Sequence, residues 1–136
     1  MAWENDVREV RDWLQDQILV AWDDVVVTSE EPQLDLPAQS VVLKLREAKF
    51  SAENRLTDAC KLIFEICAKL AMPTGSLDDD RLARASALRS VLVASPEVAG
   101  IGYGPIVAEI DFLRGVTTDE VYEMVAVFSC EIAAQR

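Results

Sequence analysis

Hydrophobic residues recur at intervals of three and four along most of this chain. That spacing places apolar side chains on one face of a helix. It predicts a first helix over residues 3–27, whose last turn contains β-branched residues that favour fraying or extension. The apolar positions of this helix are Trp3, Val7, Val10, Leu14, Ile18, Ala21, Trp22 and Val25.

A polar segment with two prolines follows at residues 29–37 and predicts a loop. The three- and four-residue spacing then resumes and predicts a long second helix over residues 37–72, which would extend ~50 Å. The alternative is a break at Phe50–Ser51, with Ser51 capping a second segment. The seam positions are Val41, Leu45, Ala48, Ala52, Leu56, Ala59, Ile63, Ile66 and Leu70.

A third helix is predicted over residues 76–94. Ser76 precedes a first turn that contains Asp78–Asp80, and acidic residues there complement the positive end of the helix dipole. Arg81 and Arg84 follow on the same helix. We expect them to pair with the acidic residues of the first helix or of this first turn.

The next segments are short. Residues 95–97 predict a new helix start that is soon interrupted, and the glycine-rich segment 100–105 predicts a loop. Pro105 then opens a short predicted helix that ends at Gly115.

The last helix has the clearest start signal in the sequence. Thr117 and Glu120 form a capping box, and Val116 with Val121 is placed as a hydrophobic staple. This pattern predicts a helix from residue 117 to residue 132. Its apolar face consists of Val121, Met124, Val125, Phe128 and Ile132.

These elements predict an all-α protein, a single-domain helical bundle of about four to six helices that spans residues 1–136. The long second helix would form its centre. Its apolar seam, which includes Leu56 and Ile63, is also a surface through which a homodimer is expected to form.

Composition indicates a folded protein of the cytoplasm. The apolar fraction is 51%, at or just above the ~45–50% of globular domains, and the slight excess favours a homo-oligomer. The first residues show no secretory signal, and no stretch of the sequence is long and apolar enough to span a membrane. Three cysteines are an odd number for a disulfide scaffold, so reduced thiols are expected.

Charge is strongly negative and unevenly distributed. The net charge is −11, which argues against direct binding to nucleic acid or to anionic membranes. Residues 1–36 contain ten acidic and two basic residues, whereas residues 37–77 contain four acidic and six basic ones. The acidic N-terminal part therefore favours a basic protein partner.

Catalytic chemistry finds little support in the sequence. The absence of histidine excludes imidazole-based triads and the common zinc and di-iron motifs. Cys60 and Cys67, ~10 Å apart on one helix face, are interpreted with Cys130 as buried thiols. No metal or cofactor is expected. Acidic pairs at residues 120/123 and 9/12 leave open a carboxylate–Mg²⁺ phosphohydrolase, although helix capping and solvent exposure explain them better.

A binding surface is the leading functional hypothesis. Trp13 lies half a turn away from Trp3 and Trp22 on the first helix, so it either reaches the surface or packs at the edge of a wide core. The proposed partner-binding residues are Trp13 with its acidic neighbours, together with a tyrosine in the glycine-rich loop. We therefore expect a non-enzymatic inhibitor, immunity or antitoxin-like protein, or adaptor, and the alternative is a small-molecule-binding helical protein or the phosphohydrolase. The proposed residues are Asp12, Trp13, Asp16, Asp23 and Tyr103.

Overall fold

The computed structural model describes residues 3–29, 37–113 and 117–135, and in these ranges two helices pack on a six-stranded sheet. The expected all-α bundle is wrong, since 47% of the described residues are in strands and 30% are in helices, and the sheet is curled. The strand order is β1-β2-β3-β6-β5-β4, with β1 parallel to β2 and the other neighbours antiparallel. The elements are α1 (Trp3–Ala21), β1 (Val26–Thr28), β2 (Ser40–Ala52), β3 (Thr57–Ala71), α2 (Leu77–Ala94), β4 (Glu97–Val98), β5 (Gly102–Asp111) and β6 (Val121–Gln135).

The main core lies between the helices and one face of the sheet. Every second residue of β3 and β6 points into it, which is the two-residue period of a strand. Both helices contribute one apolar stripe each. The fully buried large side chains include Leu14, Ile18, Leu62, Phe64, Ile66, Leu88, Leu92, Tyr122, Met124 and Phe128.

The predicted second helix over residues 37–72 is replaced by the hairpin of β2 and β3. From Cys60 to Leu70, buried residues alternate with less buried ones. Because Ile63 and Cys67 are also apolar, the same segment satisfies a helical period equally well. The chain reverses after residue 52, not at 50–51. There the side chain of Asn54 accepts hydrogen bonds from two backbone N–H groups of the turn at 2.9 and 3.0 Å.

The helices predicted after residue 94 are also wrong. Residues 97–98 form β4, and the short helix expected from Pro105 is part of β5. The expected loop at 100–105 is partly strand. The last helix is replaced by β6, and its capping box is absent because Thr118, not Thr117, accepts the N–H groups of residues 120 and 121 at 3.2 Å.

Two predicted helices are confirmed. The first ends earlier than expected, at Ala21, because the β-branched residues that follow form β1. The second is α2, where Ser76 caps the helix by accepting the N–H of Asp79 at 3.3 Å. The predicted loop 29–37 falls largely outside the described residues, as does Val116 of the predicted staple. Within the described ranges, neither helix has the length and hydrophobicity to cross a membrane.

Candidate functional site

The most highly connected polar site lies where the end of α1, the start of β2 and α2 meet. Arg84 of α2 donates two hydrogen bonds to the carboxylate of Asp24 at 2.7 and 2.6 Å, in the parallel geometry that suits a guanidinium. The Arg84 side chain is 17% exposed and that of Asp24 is 46% exposed. The hydrogen bond from Arg84 lowers the pKa of Asp24, so the pair is charged at neutral pH.

Gln39 extends this junction to the sheet. Its side-chain amide donates to Asp24 at 2.7 Å, and its side-chain oxygen accepts the N–H of Ala71 at 2.6 Å. Its carbonyl oxygen accepts the N–H of Val26 at 2.9 Å. Gln39 has a positive φ of 63°, a conformation that is uncommon for residues other than glycine. The residue thus joins the turn after α1 to β1 and β3.

Tyr122 connects the junction to the core. Its hydroxyl donates a short hydrogen bond to Asp80, and the guanidinium of Arg81 lies 5.6 Å from its ring centre. Burial and the neighbouring carboxylate raise the pKa of Tyr122, so the phenol stays protonated. Arg84 also lies 3.9 Å from Asp80. The phenol is therefore a fixed hydrogen-bond donor that is not ionised at neutral pH.

An open depression of about 300 Å³ adjoins this junction. Trp22 is one of its lining residues and is itself buried, with its indole N–H donating to the carbonyl oxygen of Arg84 at 3.0 Å. Three carboxylates line the depression against one guanidinium, so its net charge is negative. The lining residues are Ala21, Trp22, Asp23, Asp24, Asp80, Ala83, Arg84 and Ala87.

The outer side of α1 forms a second acidic feature, here called the acidic ridge. It consists of residues that face away from the buried stripe of the helix and are exposed. Two of them are apolar: Leu19 is 37% exposed and Val20 is 69% exposed. The ridge leads along the helix toward the depression at its C-terminal end. Its members are Glu9, Asp12, Asp16, Leu19 and Val20.

The predicted binding residues are distributed over two sides of the molecule. Asp12 and Asp16 lie on the acidic ridge, and the exposed Asp23 lies beside the depression. Trp13 packs against the edge of the core, with its ring 6.1 Å from that of Phe128, which matches the alternative interpretation of this residue. Tyr103 is 60% exposed, but it lies on the face of the sheet opposite the helices.

Sequence reasoning identified part of the junction and missed the rest. The expected pairing of the α2 arginines is confirmed, since Arg84 binds Asp24 and Arg81 lies 3.7 Å from Asp78. Gln39 and Tyr122 were not identified, because their partners are 32 and 42 residues away in sequence. No local spacing signals contacts of that range.

The cysteines are free thiols within the described residues, and Cys60 and Cys130 are buried. Burial raises the pKa of Cys130 to about 12 and also raises that of Cys60, which makes both poor nucleophiles. The expectation that Cys60 and Cys67 share a helix face is wrong, because they point to opposite faces of β3.

In the part of the chain that the structure describes, no group of three or more cysteine, aspartate or glutamate side chains could hold a metal ion. Known protein-family models do not match the sequence, and neither does any curated protein. The function must therefore be inferred from the chemistry of the site: salt-bridged structural groups beside a negatively charged, partly apolar surface.

Proposed function

We propose that the protein is a non-enzymatic binding protein whose acidic ridge and adjoining depression engage a basic protein partner. The observation that supports this proposal is the continuity of the two features. Carboxylates on the outer side of α1 lead to a concave site that is also negatively charged. A negative surface of this kind attracts a basic protein and raises its association rate at low salt.

The apolar members of the ridge supply contact area that carboxylates alone do not. Leu19 and Val20 lie on the outer side of the helix, between Asp16 and the depression. Burying apolar surface contributes about 25 cal/mol per Å². A partner with basic and apolar side chains on one helix face therefore fits this surface better than a purely polycationic one.

The depression suits one lysine or arginine side chain of such a partner. Asp23 is exposed at its edge, and Asp80 lies deeper, with its side chain 30% exposed. Arg84 is already bound to Asp24, so its charge is largely offset. A basic side chain that enters the depression would meet Asp23 and also Asp80, whose carboxylate already accepts a hydrogen bond from Tyr122.

This proposal covers an inhibitor, an immunity or antitoxin-like protein, or an adaptor. The phosphohydrolase alternative is favoured by no observation. Of its acidic pairs, Glu120 lies in the turn before β6 and Glu123 on β6, while Glu9 and Asp12 are exposed on α1.

Fluorescence anisotropy with a labelled helical peptide tests the proposal. The peptide carries lysine on one face and leucine on the other. Replacing Asp12 and Asp16 with asparagine removes two charges from the ridge, and we expect the Kd to rise about three- to tenfold, since each exposed pair contributes up to ~1 kcal/mol. The effect should shrink at high salt because the Debye length falls to ~3 Å at 1 M.

The matched control replaces Glu53 with glutamine and Asp119 with asparagine. Both residues are exposed in turns outside α1, and the variant has the same net charge as the ridge variant. The control should change the Kd less than twofold. An equal loss in both variants, or no binding by the unmodified protein, would show that the ridge is not a binding surface.

A further inference from the structure

The face of the sheet opposite the helices, here called the open face, carries a second set of buried apolar side chains. Val42, Val125 and Val127 are 2%, 8% and 9% exposed. They lie outside the core that the helices cover. In the described ranges, α1 and α2 both pack on the other face. The centre of the open face is therefore apolar, with longer side chains around it.

Strand register places the polar side chains of the open face in transverse rows. Lys61 of β3 is opposite Glu131 of β6, and Lys69 is opposite Glu123. Tyr103 of β5 continues the first of these rows. The full set across β2, β3, β6 and β5 includes the rows Lys49–Lys61–Glu131–Tyr103 and Lys44–Glu65–Val127–Glu109.

The two halves of this face carry opposite charge. On β2 and β3 five basic side chains accompany two acidic ones, which gives +3. On β6 and β5 the face has four acidic side chains and no basic one, which gives −4. Arg46 is counted on this face because it lies 3.6 Å from Glu65. The basic residues are Lys44, Arg46, Lys49, Lys61 and Lys69, and the acidic ones are Glu47 and Glu65, then Glu109, Asp111, Glu123 and Glu131.

We propose that a second copy of this chain covers the open face, with a twofold axis parallel to the strands between β3 and β6. Rotation about such an axis reverses the order of the strands across the sheet, while each transverse row keeps its position along the strand direction. The basic half of one copy therefore lies on the acidic half of the other. Twofold dimers require this kind of self-complementary surface.

The geometry assigns specific contacts. On the two central strands, Lys61 of each copy faces Glu131 of the other, and Lys69 faces Glu123. An axis perpendicular to the strands would instead place the basic half on the basic half. The charge pattern thus selects one of the two ways in which the sheets can face each other.

The open face is large enough for a weak to moderate dimer. Four strands ~4.8 Å apart and about ten residues of ~3.3 Å each cover roughly 600 Å². Two flat faces of this size would bury about 1,200 Å² in total, which is the lower end of specific interfaces, and the curl of the sheet reduces this area. Because the three valines are already buried within one copy, the exposed apolar contact of this face comes from Ile106, which is 55% exposed, and Tyr103, which is 60% exposed.

This arrangement can be tested with two charge-reversal variants, measured alone and as a mixture. Analytical ultracentrifugation at low salt gives the dimer Kd of each sample. In Lys61→Glu both facing residues are acidic, and in Glu131→Lys both are basic. We expect each variant alone to raise the dimer Kd at least about tenfold, since two contacts become repulsive. An equimolar mixture should restore dimers, because every facing pair is then Lys with Glu. A cross-strand pair within one chain cannot produce this recovery.

The matched controls are Glu53→Lys and Arg55→Glu in the β2–β3 turn, outside the open face. Mixing them should leave the dimer Kd unchanged within about twofold of the unmodified protein. Circular dichroism verifies that each variant is folded. Ile106→Glu is a second disrupting variant, and because Ile106 is exposed in one copy it should fold and be monomeric. A monomeric unmodified protein at 100 μM, a dimeric Ile106→Glu, or a mixture no more dimeric than its components would overturn the proposal.

Discussion

The salt bridge between Arg84 and Asp24 should stabilise the fold measurably, and Asp24→Asn tests this directly. The carboxylate of Asp24 receives two hydrogen bonds from Arg84 and one from Gln39, at 2.6 to 2.7 Å. Asparagine keeps one acceptor oxygen but loses the charge. A hydrogen bond to a charged group contributes about 1.5–3 kcal/mol when shielded. Because the Asp24 side chain is 46% exposed, solvent screening lowers the expected loss to about 1–2 kcal/mol.

Urea denaturation followed at 222 nm, at a fixed protein concentration, measures this loss. Asp23→Asn removes the same charge from the neighbouring exposed residue and should change the free energy of unfolding by less than about 0.5 kcal/mol. The folded-state pKa of Asp24 is lowered by Arg84. Its contribution is therefore present above the unfolded pKa of about 3.9 and is lost as the pH falls through the folded value. The role of the salt bridge would be refuted if the two variants lost equal free energy of unfolding. It would also be refuted if the loss in Asp24→Asn stayed the same in strong acid.

Three further predictions concern the free energy of unfolding. Tyr122→Phe should lower it by about 1–1.5 kcal/mol at pH 7. Because the folded-state pKa of Tyr122 is raised, this difference from the unmodified protein should decrease as the pH rises above about 10, and urea denaturation across this range measures it. Gly102→Ala should lower the free energy of unfolding by about 1–3 kcal/mol, because the added Cβ would lie 2.9 Å from a backbone oxygen of β6. Gly75 has open space around it, so Gly75→Ala should leave stability unchanged or increase it. Thermal denaturation of both variants measures the difference. Phe128→Ala should lower the free energy of unfolding by about 3–5 kcal/mol, because Phe128 is fully buried. Val20 is exposed, so the control Val20→Ala should leave the urea midpoint nearly unchanged.

Local signals in the sequence predicted the helices but not the sheet. In α1 one apolar stripe lies opposite mostly polar positions, which favours the helical period. In α2 the clearest signals are the Ser76 cap and the acidic first turn, since Leu82 and Val93 are exposed. In β6, residues 124–130 are buried on both faces. Such a segment contains almost no polar residues to reveal a two-residue period, so it satisfies a helical pattern as well. The β2–β3 turn has neither glycine nor proline, and only Asn54 marks it.

Local spacing predicted the exposed residues of the candidate site, and opposite charge alone predicted the long-range pairing of Arg84 with an acidic residue of the first predicted helix. The exposure of Asp12 and Asp16 follows from the helical period around Leu14, and the chain bears it out. Tyr103 was associated with them because both were expected at the surface of a bundle. The strand pairing of β5 with β6 separates them instead. Which face of a sheet a residue occupies depends on register, and register is set by pairing between distant segments.

The acidic ridge and the open face lie on opposite sides of the sheet, and this separation has a functional consequence. A dimer formed through the open face leaves α1 of both copies on the outside, so neither ridge is covered. Each dimer would then present two identical acidic surfaces that point away from each other. Two such sites increase avidity for a partner that is itself repeated or dimeric, provided that the spacing of its basic segments permits simultaneous contact. The two proposals are therefore compatible, because they use opposite sides of the sheet.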